Sequence, residues 1–121
     1  MTNHATLSEQ HCRPLVTALT PTEISDHLLH LPDWQVEHGM IKRSFGFANY
    51  YETLAFTNAL AWMVHAQDHH PELIITYNRC MVCYNTHSVN DGKGGISEND
   101  FICAAKVDAI YRQQHASSAD Q

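Results

Sequence analysis

Three histidines crowd one short stretch, His65-Ala66-Gln67-Asp68-His69-His70-Pro71, and a fourth, His87, follows Thr86 farther along the chain. An unperturbed imidazole titrates at about 6.5, so one such group can serve as base while another serves as acid near neutral pH. The chain holds 10 histidines in 121 residues, a supply that suits proton chemistry, metal binding or a pH-sensitive surface. Spacing narrows the choice without closing it. His65 and His69 stand at i and i+4 on one helical face, a spacing that zinc ligands use. The zinc-protease pattern, however, wants Glu directly after the first His, and Ala66 is there. His69 and His70 at a helix end can instead cap its last carbonyls, with Pro71 stopping the helix. If the strand that ends at His87 packs against that helix end, His69, His70 and His87 converge in one pocket, where small-molecule sites form.

Cysteine offers a second constellation and a weaker one. Cys80-Met81-Val82-Cys83 has a chelating spacing on a helix, but the segment alternates as a strand, which sends the two sulfurs to opposite faces. No other Cys pair has zinc spacing. Cys80 is expected in the core and Cys83 partly covered. All four thiols are expected to stay reduced, in a cytoplasmic protein.

The elements that must place the histidines can be read from local signals. Residues 1–19 are polar, lack a period and carry Pro14, which predicts a flexible N-terminal arm that can be removed. Thr20-Pro21-Thr22-Glu23 is a capping box with Pro at the first helical position, followed by Ile24, Leu28 and Leu31 on one stripe that Pro32 ends. Trp34–Glu37 and Met40–Phe47 predict a hairpin turning at His38-Gly39. Ile41, Phe45 and Phe47 share a face of its second strand, with Arg43 as the misfit. Asn49 with Glu52 opens the longest helix, whose stripe is Phe56, Leu60 and Val64, widened by Ala55, Ala59 and Met63. Strands are predicted at Glu72–Tyr77 and Cys80–His87, then a loop over Ser88–Gly95. Ser97 with Asp100 forms a second capping box, and the tail 114–121 is polar and expected to fray. The order helix, strand, strand, helix, strand, strand, helix predicts an α+β domain over residues 20–113: a four-stranded antiparallel sheet with three helices on one face.

Composition bounds the function classes. Hydrophobic residues make up 44% and charged residues 17%, which argues against disorder. No apolar run approaches the ~18 residues of a membrane span, and the first residues lack a basic-then-apolar leader. A net charge of -6 is a poor footprint for a phosphate backbone, so no direct nucleic-acid contact is expected.

Taken in order, His65, His69-His70-Pro71, Tyr77, His87 and Asp100 have the spacing of a known pattern, as do Phe45-Gly46-Phe47, Tyr77-Asn78 and Ser97-Glu98-Asn99-Asp100. From about Thr20 to Tyr111 the chain resembles the pterin-4a-carbinolamine dehydratases. The resemblance implies the fold just described and a lyase that removes water from a 4a-hydroxytetrahydropterin to leave the quinonoid dihydropterin. It implies recycling of the cofactor of aromatic amino-acid hydroxylases, with no metal or organic cofactor of its own. It also implies a pterin substrate, a hydroxylase as possible partner, and a homodimer or homotetramer. By position, His69 and His87 would be the acid/base pair, with His70 a third catalytic residue contacting the pterin. Pro71, Thr86, Ser88 and Val89 would line the pocket beside them. Two departures stand out. His65 occupies a position where the family often has Glu, so the group that would tune His69 changes sign, and the Gly-rich loop before Asp100 is longer. Asp100 is therefore expected to serve chiefly as the capping carboxylate. Competing readings are a dimerisation or regulatory partner of a hydroxylase or transcription factor, a role in molybdenum-cofactor metabolism, and a zinc-dependent hydrolase built on His65, His69 and His87.

Overall fold

The computed structural model describes residues 4–119, with side chains from Thr6 to Gln114. Its elements run α1 (His4–Glu9), α2 (Pro21–Leu28), β1 (Gln35–Glu37), β2 (Met40–Gly46), α3 (Tyr50–Gln67), β3 (Glu72–Ile75), β4 (Arg79–Tyr84) and α4 (Glu98–Ala119). The four strands form one antiparallel sheet in the order β1-β2-β4-β3, so the fold is α+β, with one helix more than the sequence suggests.

Local signals account for the element starts. Thr20 caps α2 through a complete capping box with Glu23, and Asn49 caps α3 by accepting from the Glu52 backbone N–H at 2.9 Å. The β1–β2 hairpin turns at His38 and Gly39, both with positive φ, as a two-residue turn matching strand twist requires. Register then sets the faces. Ile41 lies opposite Tyr84, Arg43 opposite Val82 and Phe45 opposite Cys80, so one sheet face carries them all. Apart from Arg43, these are buried and join Phe56 and Leu60 of α3 and Ile102 and Cys103 of α4 in a single core. The misfit Arg43 has a reason to be there. Its guanidinium donates to Asp108 at 2.7 Å and lies 4.3 Å from the Phe45 ring centroid, while Trp34 Nε1 donates to the same carboxylate. A buried charge held by an ion pair and an aromatic face costs far less than an unpaired one.

Several expectations need correction. The predicted arm is ordered over residues 4–19: α1 packs on α4, Leu7 is fully buried, and Lys106 Nζ donates to the Ser8 carbonyl at 2.8 Å. Beyond α1 the chain crosses the molecule as a strap. Arg13 N donates to Asn99 Oδ1 and Asn99 Nδ2 donates back to the Arg13 carbonyl at 2.7 Å. Asn90 N donates to the Val16 carbonyl, and Leu19 N to that of Ile96. These bonds tie the strap to the Gly-rich loop, and only glycine fits at Gly95, where a Cβ would come within 2.8 Å of Ala18 Cβ. A helix of six residues with one buried leucine shows no periodic face, which is why the pattern misses it. Met1, Thr2 and Asn3 lie outside the described residues. At the other end α4 runs past Gln114 to Ala119. The core position one turn before Phe56 is Thr53, fully buried, whereas Val64 is only partly covered. Strand β3 stops at Ile75 and β4 at Tyr84, with Thr86 making an isolated bridge to Gly95. Cys80 is buried as expected, and Cys83 is buried too rather than partly covered.

Candidate active site

The end of α3 positions the first imidazole. Helix α3 closes at Gln67 with Asp68 in the left-handed conformation as its C-cap, so His69 and His70 lie beyond the helix and cap nothing. That left-handed turn swings His69 inward. Its Nε2–H donates to Asp100 Oδ1 at 2.6 Å, and its ring stacks on Tyr84 with centroids 5.1 Å apart. The Tyr84 hydroxyl donates to the His69 carbonyl at 3.2 Å; burial pushes that phenol far above its ordinary value, so it stays a neutral donor. His69 is therefore fixed by backbone, ring and carboxylate together.

Asp100 does two jobs that the sequence presents as alternatives. Its Oδ2 accepts from Ser97 N at 2.8 Å, as the capping carboxylate of α4, and from Thr86 Oγ1 at 3.0 Å. Its Oδ1 takes the His69 proton donor. The Ser97 and Thr86 hydroxyls lie 2.6 Å apart and complete the network. Asp100 is fully buried, so its charge is held by these bonds and by His69. The effect on His69 is definite. Burial works to lower the imidazole pKa, but the hydrogen bond to Asp100, its charge and that of Cys12 together raise it above the ordinary value. A group so placed holds its proton more tightly than a free imidazole.

A cavity of about 330 Å³ opens on this histidine, lined by Cys12, Arg13, Gln67, His69, Thr86 and Ser88 among others. The volume falls in the range of small-ligand pockets. Of the residues singled out by sequence, the structure brings His69, Thr86, Ser88 and Asp100 to this place. His70 and His87 are exposed, and neither ring makes a side-chain hydrogen bond among the described residues. Pro71 is partly covered at the start of β3, and Val89 is buried inside the loop. His65 stacks on Trp62, with centroids 6.4 Å apart, so the carboxylate partner of His69 is Asp100 rather than a side chain one turn earlier. Among the described residues no three His, Cys, Asp or Glu side chains gather as a metal site, which leaves the proposed zinc set of His65, His69 and His87 without its cluster. Sequence reasoning missed the strap wall, Cys12 to Leu15, and Gln67, whose Oε1 accepts from Cys12 N at 2.8 Å. No local signal marks them, because their role arises only when the strap docks.

A larger apolar groove of about 840 Å³ runs along α3, lined by Phe47, Tyr51, Ala55, Ala59, Trp62 and Met63 among others. Its lining contains no imidazole. Among the described residues no helix is long and apolar enough to cross a membrane.

Comparison with known proteins points one way. The family model for pterin 4 alpha carbinolamine dehydratase matches residues 17–110. A protein of Bdellovibrio bacteriovorus is 53% identical over 116 residues, covering 96% of this chain and 97% of its own; its assigned name, pterin-4-alpha-carbinolamine dehydratase, is provisional. A Nitrosomonas eutropha protein of the same provisional name is 46% identical, covering 91% and 97%. The crystal structure of a transcriptional coactivator/pterin dehydratase from Brucella melitensis superposes with a TM-score of 0.71 at 34% identity, over 78% of this chain and 99% of that one.

Proposed function

Because the chain belongs to the pterin 4 alpha carbinolamine dehydratase family, we propose that it dehydrates a 4a-hydroxytetrahydropterin to the quinonoid dihydropterin by histidine acid–base chemistry, with His69 as the acid. The observation that carries the assignment is the buried 2.6 Å contact between His69 and Asp100 facing a cavity of ligand size. In the reaction the C4a–O bond breaks, the departing hydroxyl takes a proton and leaves as water, and N5 gives its proton to a base as the N5–C4a double bond forms. The first transfer needs an acid that is still protonated at neutral pH, and the raised pKa of His69 supports that role. His87, beside Thr86 and Ser88 at the mouth, is the proposed base, and His70 the proposed contact to the pterin ring, with Pro71 and Val89 shaping the loops that carry them. No metal or organic cofactor enters this chemistry.

Purified protein should accelerate the decay of hydroxylase-generated carbinolamine absorbance. An unchanged decay rate at enzyme levels stoichiometric with substrate would remove the assignment.

A second reading, a protein-binding role, draws support from the coactivator half of the Brucella melitensis protein's name and from the exposed Tyr51 and Trp62 beside the apolar groove on α3. Under this reading a second copy of the chain, or a hydroxylase, covers that groove. A Trp62→Glu variant that keeps the molar mass of the parent in light scattering would argue against self-association there. The proposed compartment is the cytoplasm, a place where thiols stay reduced, and Cys12, Cys80, Cys83 and Cys103 are all free.

A further inference from the structure

Cys12 on the strap and Cys103 on α4 are 91 residues apart in sequence, yet their sulfurs lie 3.4 Å from each other. Closing to the ~2.05 Å of a disulfide requires a shift of about 1.4 Å, which a strap residue can supply more easily than a helix residue. The two thiols are not equivalent. Cys12 is partly exposed and lines the cavity beside His69, whereas Cys103 is fully buried. The hydrogen bond from Cys103 pulls the Cys12 thiol down, against the effect of burial and with the help of His69. The same bond and burial push Cys103 far up, so of the two sulfurs Cys12 is the one more readily ionised. Cys80 and Cys83 offer the contrast, since burial raises both and they occupy opposite faces of β4.

We infer that Cys12 and Cys103 form a thiol-oxidation site, in which Cys12 reacts with a hydroperoxide entering through the cavity and Cys103 resolves the product to a disulfide. In the first step the Cys12 thiolate attacks a peroxide oxygen and the O–O bond breaks. The leaving oxygen takes a proton to become water, or an alcohol from an organic hydroperoxide, and Cys12 becomes a sulfenic acid. In the second step the Cys103 sulfur attacks the sulfenic sulfur, the S–O bond breaks, and a second water leaves with the Cys103 proton. Two thiols thus lose two electrons to one peroxide. The product would staple the strap to α4 at the wall of the His69 cavity. None of this depends on which reaction His69 performs.

Peptide mapping of the full chain tests it directly. After exposure to hydrogen peroxide and alkylation under non-reducing, unfolding conditions, a Cys12–Cys103 cross-linked peptide pair should appear, lighter by two hydrogens and restored by dithiothreitol. Cys80 and Cys83 should be recovered alkylated, with loss of free Cys12 at least about tenfold faster than theirs. In Cys103→Ala the sulfenic acid on Cys12 should persist and be trapped by a cyclic 1,3-diketone; in Cys12→Ser the Cys103 thiol should stay intact. The unmodified protein decides the matter even if a variant folds poorly. Cys12 recovered as free thiol at exposures that fully oxidise glutathione would overturn the inference, as would a disulfide that joins any other pair.

Discussion

His69 sits between the Tyr84 ring and the Asp100 carboxylate with its side chain 14% exposed, whereas His70, the next residue, and His87 are exposed. The three imidazoles look alike in sequence. What separates them is backbone geometry: the left-handed Asp68 ends α3 and sends His69 into the network built at the start of α4. The lesson is that side chains of one type acquire different environments once one member is buried against a charge and the others stay in solvent.

The comparison is broken most simply by removing each imidazole. Under the proposed chemistry, His69→Ala and His87→Ala should each lower turnover by about 10²–10⁴, the size of a general acid–base term. His70→Ala should raise KM more than it lowers kcat, because its proposed contact is with bound pterin. Rates are to be read beside melting temperatures, so that lost fold is not mistaken for lost chemistry. Full activity in folded His69 and His87 variants would reduce the cluster to scaffolding.

The second contrast sets the strap side of the cavity against the strand side. Leu7 anchors the strap through α1, and Leu7→Ala should cost about 2–5 kcal/mol of stability, the range for a buried leucine. Denaturant unfolding measures it. A loss under about 1 kcal/mol would mean that the N-terminal segment can be removed after all. That segment also marks the limit of what sequence reveals. The capping box at Thr20, the Asn49 cap and the His38-Gly39 turn are legible because their partners lie within three residues. The pairing of His69 with Asp100 spans 31 residues and that of Cys12 with Gln67 spans 55, so both come from tertiary packing. Residue type and spacing single out the histidines, and the capping box with Ser97 singles out Asp100; only the fold shows that Asp100 caps α4 and holds His69 at once.

Asp100→Asn sharpens the difference between His69 and its exposed neighbours. Without the carboxylate the His69 pKa should fall toward that of an ordinary imidazole, and each unit lost is worth about tenfold in protonated acid at a pH above both values. The rate should therefore drop on the basic side of the profile, with the basic limb moving to lower pH. Stability carries the same sign. A raised folded pKa makes protonation of His69 favour the native state; that contribution is full below about pH 6.5 and is lost as pH rises through the folded value. The melting-temperature gap between parent and variant should therefore be widest just below pH 6.5 and narrow above it. A gap that widens with pH would reverse the assignment of charge in this pair. Some gap should persist at high pH, because the neutral amide oxygen of Asn accepts from Ser97 N and Thr86 Oγ1 more weakly than a carboxylate oxygen does.

The smallest effect belongs to His65, and it separates sequence neighbourhood from structural contact. At i and i−4 from His69 it is the residue a helical reading would pair with it, by zinc or by tuning. In the fold it is exposed, stacks on Trp62, and α3 ends before His69 is reached. An exposed charge acting through water is screened, and surface substitutions of this kind stay within about 0.5 kcal/mol. His65→Ala should change kcat/KM by no more than about twofold and leave the pH profile in place. If the basic limb instead moved by half a unit or more, His69 would be answering to two partners, and the carboxylate of Asp100 would not by itself explain why one imidazole of the cluster is set apart.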